Sequence, residues 1–273
     1  KLHPGDAARQ KTAVEHLFEG LSSKDATMRL AAAEGLHGLS LDPEIVGPKL
    51  NHLLDDADPV VAHNLVETFA SLGEPAAERA GNALSNEKLR GLAVQVLERL
   101  GPKAKLAVPQ IVAALAGAKD DFRLQLQAVL RQIGPDAAPA TKELIRSLDG
   151  SSEETRISAL LALGNIGPGA AAVKPKALAI LDGSKDPFER VLAAWVVAKV
   201  APADKQAFAK VVPVLINGLS FPDGLVQAES AITLGELGAD ARSAAAALDA
   251  LAARQDAPME LREIAQEAAT AVR

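Results

Sequence analysis

The sequence predicts an all-α fold, a solenoid of about eight antiparallel helix pairs (helix A followed by helix B) stacked side by side. Three recurring columns of residues support this prediction: a glycine, an arginine and a helix-capping residue. The glycine column recurs at spacings of 28, 33, 33, 34 and 37 residues. A period of this length is typical of solenoids that repeat one helix pair many times.

The glycine column marks the end of helix B. Its members are Gly73, Gly101, Gly134, Gly167, Ala201 and Gly238. Because glycine adopts positive φ without steric cost, it is the residue that most often ends an α-helix. Each member therefore predicts the boundary between one helix pair and the next.

The capping column marks the start of helix B. Its members are Asp25, Asp58, Asn86, Lys119, Ser152, Asp186, Asp223 and Pro258. Six of these eight are residue types whose side-chain oxygen accepts a hydrogen bond from the first free N–H groups of a helix. Asp58 and Asp186 are each followed by proline, which is favoured at the first helical position.

Four residues after the cap comes the third column. Its members are Arg29, Ala62, Arg90, Arg123, Arg156, Arg190, Gln227 and Arg262. We interpret these arginines as structural residues that pair with the capping aspartate of the next repeat. The sequence thus predicts an Asp–Arg ladder between repeats.

Helix A has a proline column of its own. Pro48, Pro109, Pro175 and Pro213 each precede a leucine by six residues: Leu54, Leu115, Leu181 and Leu219. A proline inside a helix removes a backbone hydrogen bond and kinks or interrupts it. We expect such kinks to give the stack its curvature.

The strings "LGPKAKLAVPQIVAAL", "IGPGAAAVKPKALAIL" and "DPFERVLAAWVVAKV" resemble HEAT repeats of the short bacterial, phycobilisome-lyase-like kind. The resemblance covers nearly the whole chain, as one domain over 1–273. It implies a right-handed superhelix with helices A outside and helices B lining the concave face. The predicted repeats span roughly 6–40, 41–73, 74–101, 102–134, 135–167, 168–201, 202–238 and 239–273.

Composition excludes several classes of function. The chain of 273 residues has no cysteine, so disulfides, Cys-ligated zinc, iron–sulfur clusters and thiol catalysis are excluded. Its net charge of −6 is spread evenly, with no polybasic segment for nucleic acid or anionic lipid. No apolar run approaches the roughly 20 residues that span a bilayer, so we expect no membrane insertion. The chain begins at Lys1, which we interpret as trimming, and its localisation stays open.

Neither a metal site nor a nucleic-acid groove is predicted. The histidines are His3, His16, His37, His52 and His63, and none precedes a glutamate as in HEAT-like di-iron hydroxylases. DNA glycosylases of similar architecture need a basic concave groove. The column nine residues after the arginine reads Gly38, Ser71, Arg99, Gln132, Asn165, Lys199, Glu236 and Ala271, with only two positive charges. No phosphate loop or nucleophile elbow is present, so we predict no cofactor and no enzymatic activity.

One surface signal remains, in the column five residues after the arginine. This column reads Glu34, Glu67, Gln95, Ala128, Leu161, Trp195, Ile232 and Glu267. It is apolar over three consecutive repeats at positions expected to face solvent, and such patches mark interaction sites. The candidate binding residues are Leu161, Trp195, Ile232 and Leu192, with a polar rim of Gln125, Asn165, Lys199 and Glu236. The alternative is that a tightly curved solenoid buries this face and Trp195 belongs to the core.

The sequence therefore predicts a non-catalytic scaffold or adaptor that presents helices B to a protein, a peptide or a second copy of the chain. The alternative is an accessory or regulatory domain of a larger enzyme, such as a lyase or an exported redox protein. The alanine-rich composition indicates a bacterial source. The partner, the biological process and the oligomeric state stay open.

Overall fold

The computed structural model describes residues 4–37, 39, 58–150 and 152–273. In these residues all regular structure is helical, so the predicted all-α fold is confirmed. The chain divides into two compact units, Lys1–Ala140 and Thr141–Arg273. The proposed division into eight repeats, 1–273 as one domain, stays a prediction, since residues 40–57 lie outside the described residues.

The first unit alternates helices of two layers. Its α-helices are α1 (Pro4–Leu21), α2 (Ala26–His37), α3 (Pro59–Ser71), α4 (Glu74–Ala83), α5 (Arg90–Leu100), α6 (Val108–Gly117) and α7 (Asp120–Ile133). Helices α2, α3, α5 and α7 carry the columns of helix B, and each packs on the next. This consecutive packing is the arrangement that a stack of helix pairs requires.

The second unit continues the same alternation. Its α-helices are α8 (Thr141–Ser147), α9 (Glu153–Ile166), α10 (Lys174–Gly183), α11 (Pro187–Val200), α12 (Lys205–Gly218), α13 (Gly224–Leu237), α14 (Ala245–Ala252) and α15 (Met259–Ala271). We call α9, α11, α13 and α15 the B layer of this unit, and the segments that alternate with them the A layer. Helix α11 packs on both α9 and α13, and α13 packs on α15.

The glycine column ends helix B as predicted. Gly73, Gly101, Gly134, Gly167 and Gly238 all have φ between +54° and +71°. Their ψ lies near −135°, for example −139° at Gly167, a region that residues with a side chain rarely adopt. Ala201 instead has φ −137° and ψ 58°. Here the chain makes a short turn, and α12 begins at Lys205 behind its own cap, Asp204.

Short 3-10 segments follow four of these glycines. They are Gly101–Ala107, Gly134–Ala140, Gly167–Val173 and Gly238–Ala244. Pro109 and Pro175 lie in the first turn of the α-helix that follows, where a missing N–H leaves no hydrogen bond unmade. The expected kink inside helix A is therefore wrong at these two prolines, which mark a change from 3-10 to α-helix. Pro213 does lie inside α12, and Pro48 and Leu54 lie outside the described residues.

The capping prediction is confirmed by hydrogen bonds at the start of helix B. The side chains that accept from the first backbone N–H groups are those of Asp25, Asp58, Ser152, Asp186 and Asp223. Asp186, for example, accepts from the N–H of Phe188 at 2.9 Å. These bonds satisfy donors that a helix start leaves free.

The arginine column has a different role from the one predicted. The guanidinium groups of Arg29, Arg123 and Arg190 donate to the backbone carbonyls of Ser23, Ala118 and Leu181 in the segment that precedes helix B. A pair between repeats does occur at Arg156, but its partner is Glu189, three residues beyond the capping Asp186. The column therefore holds the A-to-B turn in place. A charged donor on an otherwise free carbonyl explains why arginine recurs there.

One stretch, Glu153–Gly183, is long and apolar enough by composition to cross a membrane. It consists of α9, a 3-10 segment and α10, and Gly167 with φ +69° breaks it. Helix α9 has 14 residues, about 21 Å long, whereas a hydrocarbon core is about 30 Å thick. Half of its most apolar 18-residue window is also buried inside the protein.

Candidate protein-binding surface

The candidate surface lies on the outward side of the B layer in the second unit. Residues four, seven and eleven positions apart return to the same side of an α-helix, so each B helix presents one stripe of four residues. The stripes are Glu154, Ser158, Leu161 and Asn165 on α9; Phe188, Leu192, Trp195 and Lys199 on α11; Leu225, Glu229, Ile232 and Glu236 on α13; Glu260, Ile264, Glu267 and Ala271 on α15. We call this set of stripes the B face.

The α11 stripe is the buried centre of the B face. Trp195 is 8% exposed and Leu192 is 6% exposed. Both were predicted to face solvent, and for both the prediction is wrong. Leu161 on α9 is half-buried, and Ile232 on α13 is exposed.

Burial of Trp195 follows from a glycine on the neighbouring helix. A methyl group placed on Gly164 would lie 1.9 Å from the indole carbon Cζ3. The ring therefore lies directly against the bare backbone of α9 and fills the space between α9 and α11. The alternative that Trp195 belongs to the core is the one that the structure supports. Its indole N–H is buried and has no hydrogen-bond partner among the described residues.

The apolar part of the surface that does reach solvent lies on α13 and at the start of α15. Leu225 is 77% exposed and Met259 is 67% exposed, against 37% for Ile232. The sequence analysis overlooked Leu225 and Met259. Leu225 could have been found, since it lies seven residues before Ile232 and therefore on the same stripe.

The predicted polar rim is divided. Asn165 is exposed, and its amide donates to the carbonyl of Leu161 at 2.8 Å. Lys199 is half-buried and pairs with Glu236 at 2.5 Å. These residues lie on the B face, whereas Gln125 lies exposed on α7 of the first unit. The B face is defined within the second unit, so the place of Gln125 in the rim stays a prediction.

Five basic side chains of the second unit form ion pairs in and beside the A layer. The pairs are Lys174–Asp204, Lys176–Asp149, Lys205–Asp240, Lys210–Asp182 and Arg273–Asp249. The Lys210–Asp182 pair measures 2.6 Å, and the hydrogen bond from Lys174 lowers the pKa of the Asp204 carboxyl. Most of these pairs join neighbouring helix pairs, so the ladder predicted for arginines is formed instead by lysines.

Four of the five acidic residues of the B face are unpaired among the described residues. Glu154, Glu229, Glu260 and Glu267 are exposed, and none forms an ion pair within the described part of the chain. Glu236 is neutralised by Lys199. The apolar centre is therefore surrounded by negative charge.

A buried ionic contact fixes α11 against α9. Glu189 accepts from Arg156 at 2.9 Å and from the Ser184 hydroxyl at 2.6 Å. Burial alone would raise the pKa of Glu189, but these hydrogen bonds and the charge of Arg156 outweigh it and hold the pKa below 4.5. Glu189 is thus ionised at neutral pH and acts as a structural residue beneath the B face.

The other groups that the sequence raised do not assemble into a site. His16, His37 and His63 are exposed, and His3 and His52 lie outside the described residues. Among the described residues no group of three or more His, Asp or Glu side chains is placed to hold a metal ion. Arg99, the other positive residue in the column of Lys199, pairs with Glu67 at 2.9 Å.

A cleft of about 620 Å³ lies in the first unit between α4 and α6. Small residues line it, including Gly81, Ala113 and Gly117, and the Arg90 guanidinium lies 5.0 Å from the ring centre of Phe122 at its edge. The cleft lies between the predicted repeats 74–101 and 102–134, and in the first of these α4 follows Gly73 without a 3-10 segment. The amide of Gln110 in its lining donates to the side-chain oxygen of Asn82 at 3.3 Å.

Several solved structures share this architecture. No protein-family model matches the chain, and no curated protein matches it. Yeast importin-beta (Kap95p) matches 96% of the chain with a TM-score of 0.65 at 13% identity, and the match covers 40% of that protein. A chain of the CpcE–CpcF complex of phycocyanin lyase from Nostoc matches 86% of this chain and 96% of its own length, with a TM-score of 0.50 at 21% identity.

A third match is a chain from a structure concerned with the interaction between cadherin and beta-catenin. It covers 95% of this chain and 60% of its own length, with a TM-score of 0.50 at 17% identity. At these identities the likeness shows the fold: the chain is an α-solenoid of the HEAT and armadillo type. The predicted resemblance to HEAT repeats is confirmed in that sense. The chain spans about two fifths of the importin-beta chains that it matches.

Proposed function

We propose that this chain is a non-catalytic protein-binding scaffold or adaptor, and that its partner docks on the B face of the second unit. One observation carries the proposal: Leu225 and Ile232 are exposed on a single stripe of α13, next to the apolar centre formed by Leu192 and Trp195. Large exposed apolar side chains rimmed by polar ones mark sites of protein interaction.

The buried centre supports docking because it makes the platform rigid. Trp195 is held against Gly164, and Glu189 is held by Arg156 and Ser184. A surface that is already ordered loses little conformational entropy when a partner binds. The exposed side chains on α13 therefore lie beside an ordered helix, and a partner can pack on them without ordering that helix first.

The similar folds support the general class of function. Structures of importin-beta are titled for its binding to RanGDP and for a complex with Nup1. The beta-catenin structure concerns an interaction with cadherin. These proteins use an α-solenoid for protein binding, and we extend that class of function to this chain.

The test uses the double variant Leu225→Glu/Ile232→Glu and a matched control, Leu106→Glu. Leu106 is also an exposed leucine, 46% accessible, in the first unit. We expect the double variant to lose the proteins that the wild-type chain recovers from lysate of its source, whereas the control retains them. Circular dichroism checks that both variants stay folded. Equal recovery by folded wild-type and double-variant chains would show that the B face is not the docking surface.

A second candidate is an accessory subunit of a lyase. It is favoured by the match to a chain of the phycocyanin lyase complex over 96% of that chain. Its test is a chromophore-attachment assay on phycocyanin, with and without this chain. An unchanged rate of attachment would remove this candidate and leave the adaptor.

A further inference from the structure

We infer that the partner of the B face is a cationic amphipathic helix, that is, a segment with an apolar stripe flanked by lysine or arginine. The inference rests on the proposed function and deepens it, because it states the chemistry of the partner. It depends on the B face alone, within the second unit. Charge, spacing and self-complementarity each contribute a separate argument.

Charge is sorted between the two layers of the second unit. Four lysines of the A layer, Lys174, Lys176, Lys205 and Lys210, are each matched by an aspartate. Four exposed glutamates of the B face, Glu154, Glu229, Glu260 and Glu267, have no such partners among the described residues. A partner that brings positive charge would complete the pairing, and complementary potentials of this kind speed encounter and select the partner.

Glutamates and apolar side chains alternate along the same stripes of α13 and α15. On α13 the stripe alternates along the helix as Leu225, Glu229, Ile232 and Glu236. A helix that docks along α13 meets apolar side chains and carboxylates in turn, about one helical turn apart. A partner helix whose apolar stripe is bordered closely by lysines can contact both kinds of side chain.

The spacing of the apolar anchors also fits a helix. Leu225 and Ile232 are seven residues apart, which places them about 10 Å apart along α13. Amphipathic helices bind through anchors at positions i, i+3, i+4 and i+7, which have the same periodicity. Half-buried Ile264 continues the apolar strip onto α15.

A second copy of the chain fits this surface poorly. A symmetric dimer through the B face would bring each patch against itself. The unpaired carboxylates of Glu229 and Glu267 would then face further carboxylates, and like charges in contact oppose association. The same carboxylates that attract a cationic helix therefore disfavour self-association.

The experiment measures binding of designed peptides to the full chain by fluorescence anisotropy. The probe is a fluorescein-labelled 18-residue amphipathic peptide of leucine and lysine. One control peptide replaces every lysine by glutamate, and a second scrambles the leucines so that no apolar stripe forms. We expect binding of the first peptide only, weakening as salt rises from 50 to 300 mM because salt screens exposed charges.

Variants locate the binding site. Leu225→Ser/Ile232→Ser should weaken binding about tenfold, since anchor residues carry most of the affinity of an interface. Glu229→Gln/Glu267→Gln should weaken it about fivefold and flatten the salt dependence. The matched controls are Leu106→Ser and Glu78→Gln, exposed residues of the first unit, and they should leave binding unchanged.

Several outcomes would overturn the inference. These are equal binding of the glutamate or scrambled peptide, unchanged binding by the B-face variants, and a concentration-dependent dimer in sedimentation that Ile232→Ser abolishes. If the lysine peptide fails while lysate recovery still depends on Leu225 and Ile232, the partner chemistry is wrong and the adaptor function stands. If lysate recovery is also unaffected, the proposed function fails as well.

Discussion

At the scale of single residues, the position of Trp195 is decided by a residue on another helix. Its own column predicts exposure, and Gly164 removes the side chain that would otherwise hold the indole away from α9. The indole ring then fills the space that a methyl group on residue 164 would occupy. Interiors are packed so densely that such an exchange leaves little tolerance for added volume.

Gly164→Ala should destabilise the protein by about 1–3 kcal/mol, the usual cost of overpacking a core. The added methyl would lie 1.9 Å from Trp195, and the rigid ring cannot yield as a flexible chain would. Urea denaturation, followed by the fluorescence of this single tryptophan, measures the change. Gly91→Ala is the control: Gly91 is exposed in the first turn of α5, a methyl there meets open space, and the change should stabilise by about 0.5–1 kcal/mol. A neutral Gly164→Ala would mean that α9 and α11 can separate freely.

Caps and helix ends could be predicted from the sequence, whereas the burial of a side chain between two helices could not. Asp186 and Gly167 were predicted correctly because a cap or a helix end depends on a few neighbours in the chain. The burial of Trp195 depends on how closely two helices approach. The residue pattern of a single helix does not predict that distance. The exposed Leu225 was within reach of the sequence, because it belongs to the stripe of Ile232.

At the scale of elements, helix B is ended by backbone conformation rather than by packing. At Gly167 φ is +69° and ψ is −139°, and a methyl placed there meets only the carbonyl oxygen of Lys199, at an ordinary 3.8 Å. A side chain added at Gly167 would therefore strain the backbone without a steric clash. At Ala201 the same column adopts negative φ, and the chain needs a different turn.

Gly167→Ala should lower stability by about 1–3 kcal/mol, because alanine must be forced into a region that glycine alone occupies readily. Thermal unfolding measures the loss. Ala201→Gly is the matched change in the same column, and it should cost no more than about 1 kcal/mol of lost backbone rigidity. Equal effects of the two changes would contradict the role assigned to positive φ.

The contact between α9 and α11 predicts a pH dependence. Because the folded protein holds the pKa of Glu189 below the 4.5 of a free glutamate, ionised Glu189 stabilises the fold above pH 4.5. That stability is lost as the pH falls through the lowered pKa. Glu189→Gln should therefore cost about 1–3 kcal/mol at pH 7, and less and less below pH 4.5.

Urea denaturation at pH 7, 5 and 3.5 measures this difference. Glu78→Gln, an exposed change on α4, is the control and should show no such trend. A destabilisation by Glu189→Gln that stays constant or grows in acid would contradict the assignment. The lysine pairs of the A layer were not predicted, since each lysine and its aspartate lie 27–35 residues apart in the chain.

At the scale of the whole molecule, a solenoid stabilises each helix pair mainly through its neighbours, so damage should stay local. Gly164→Ala should lower the hydrogen-exchange protection of α9 and α11, while α2 and α3 in the first unit keep theirs. Amide exchange read by mass spectrometry distinguishes these segments. A uniform loss of protection over both units would show that the chain unfolds as one cooperative body.

The separation of charge in the second unit also determines how the protein sits on a sensor surface. Lys174, Lys176, Lys205 and Lys210 belong to the A layer, on the opposite side of the helix pairs from the glutamates of the B face. Coupling through amines would anchor the second unit by that side and leave the B face directed towards the analyte. Adsorption on a polycationic coating would do the reverse, with the acidic side drawn down and the docking surface hidden. A binding signal that survives the first immobilisation and disappears in the second would therefore show the polarity of the helix layers without any substitution.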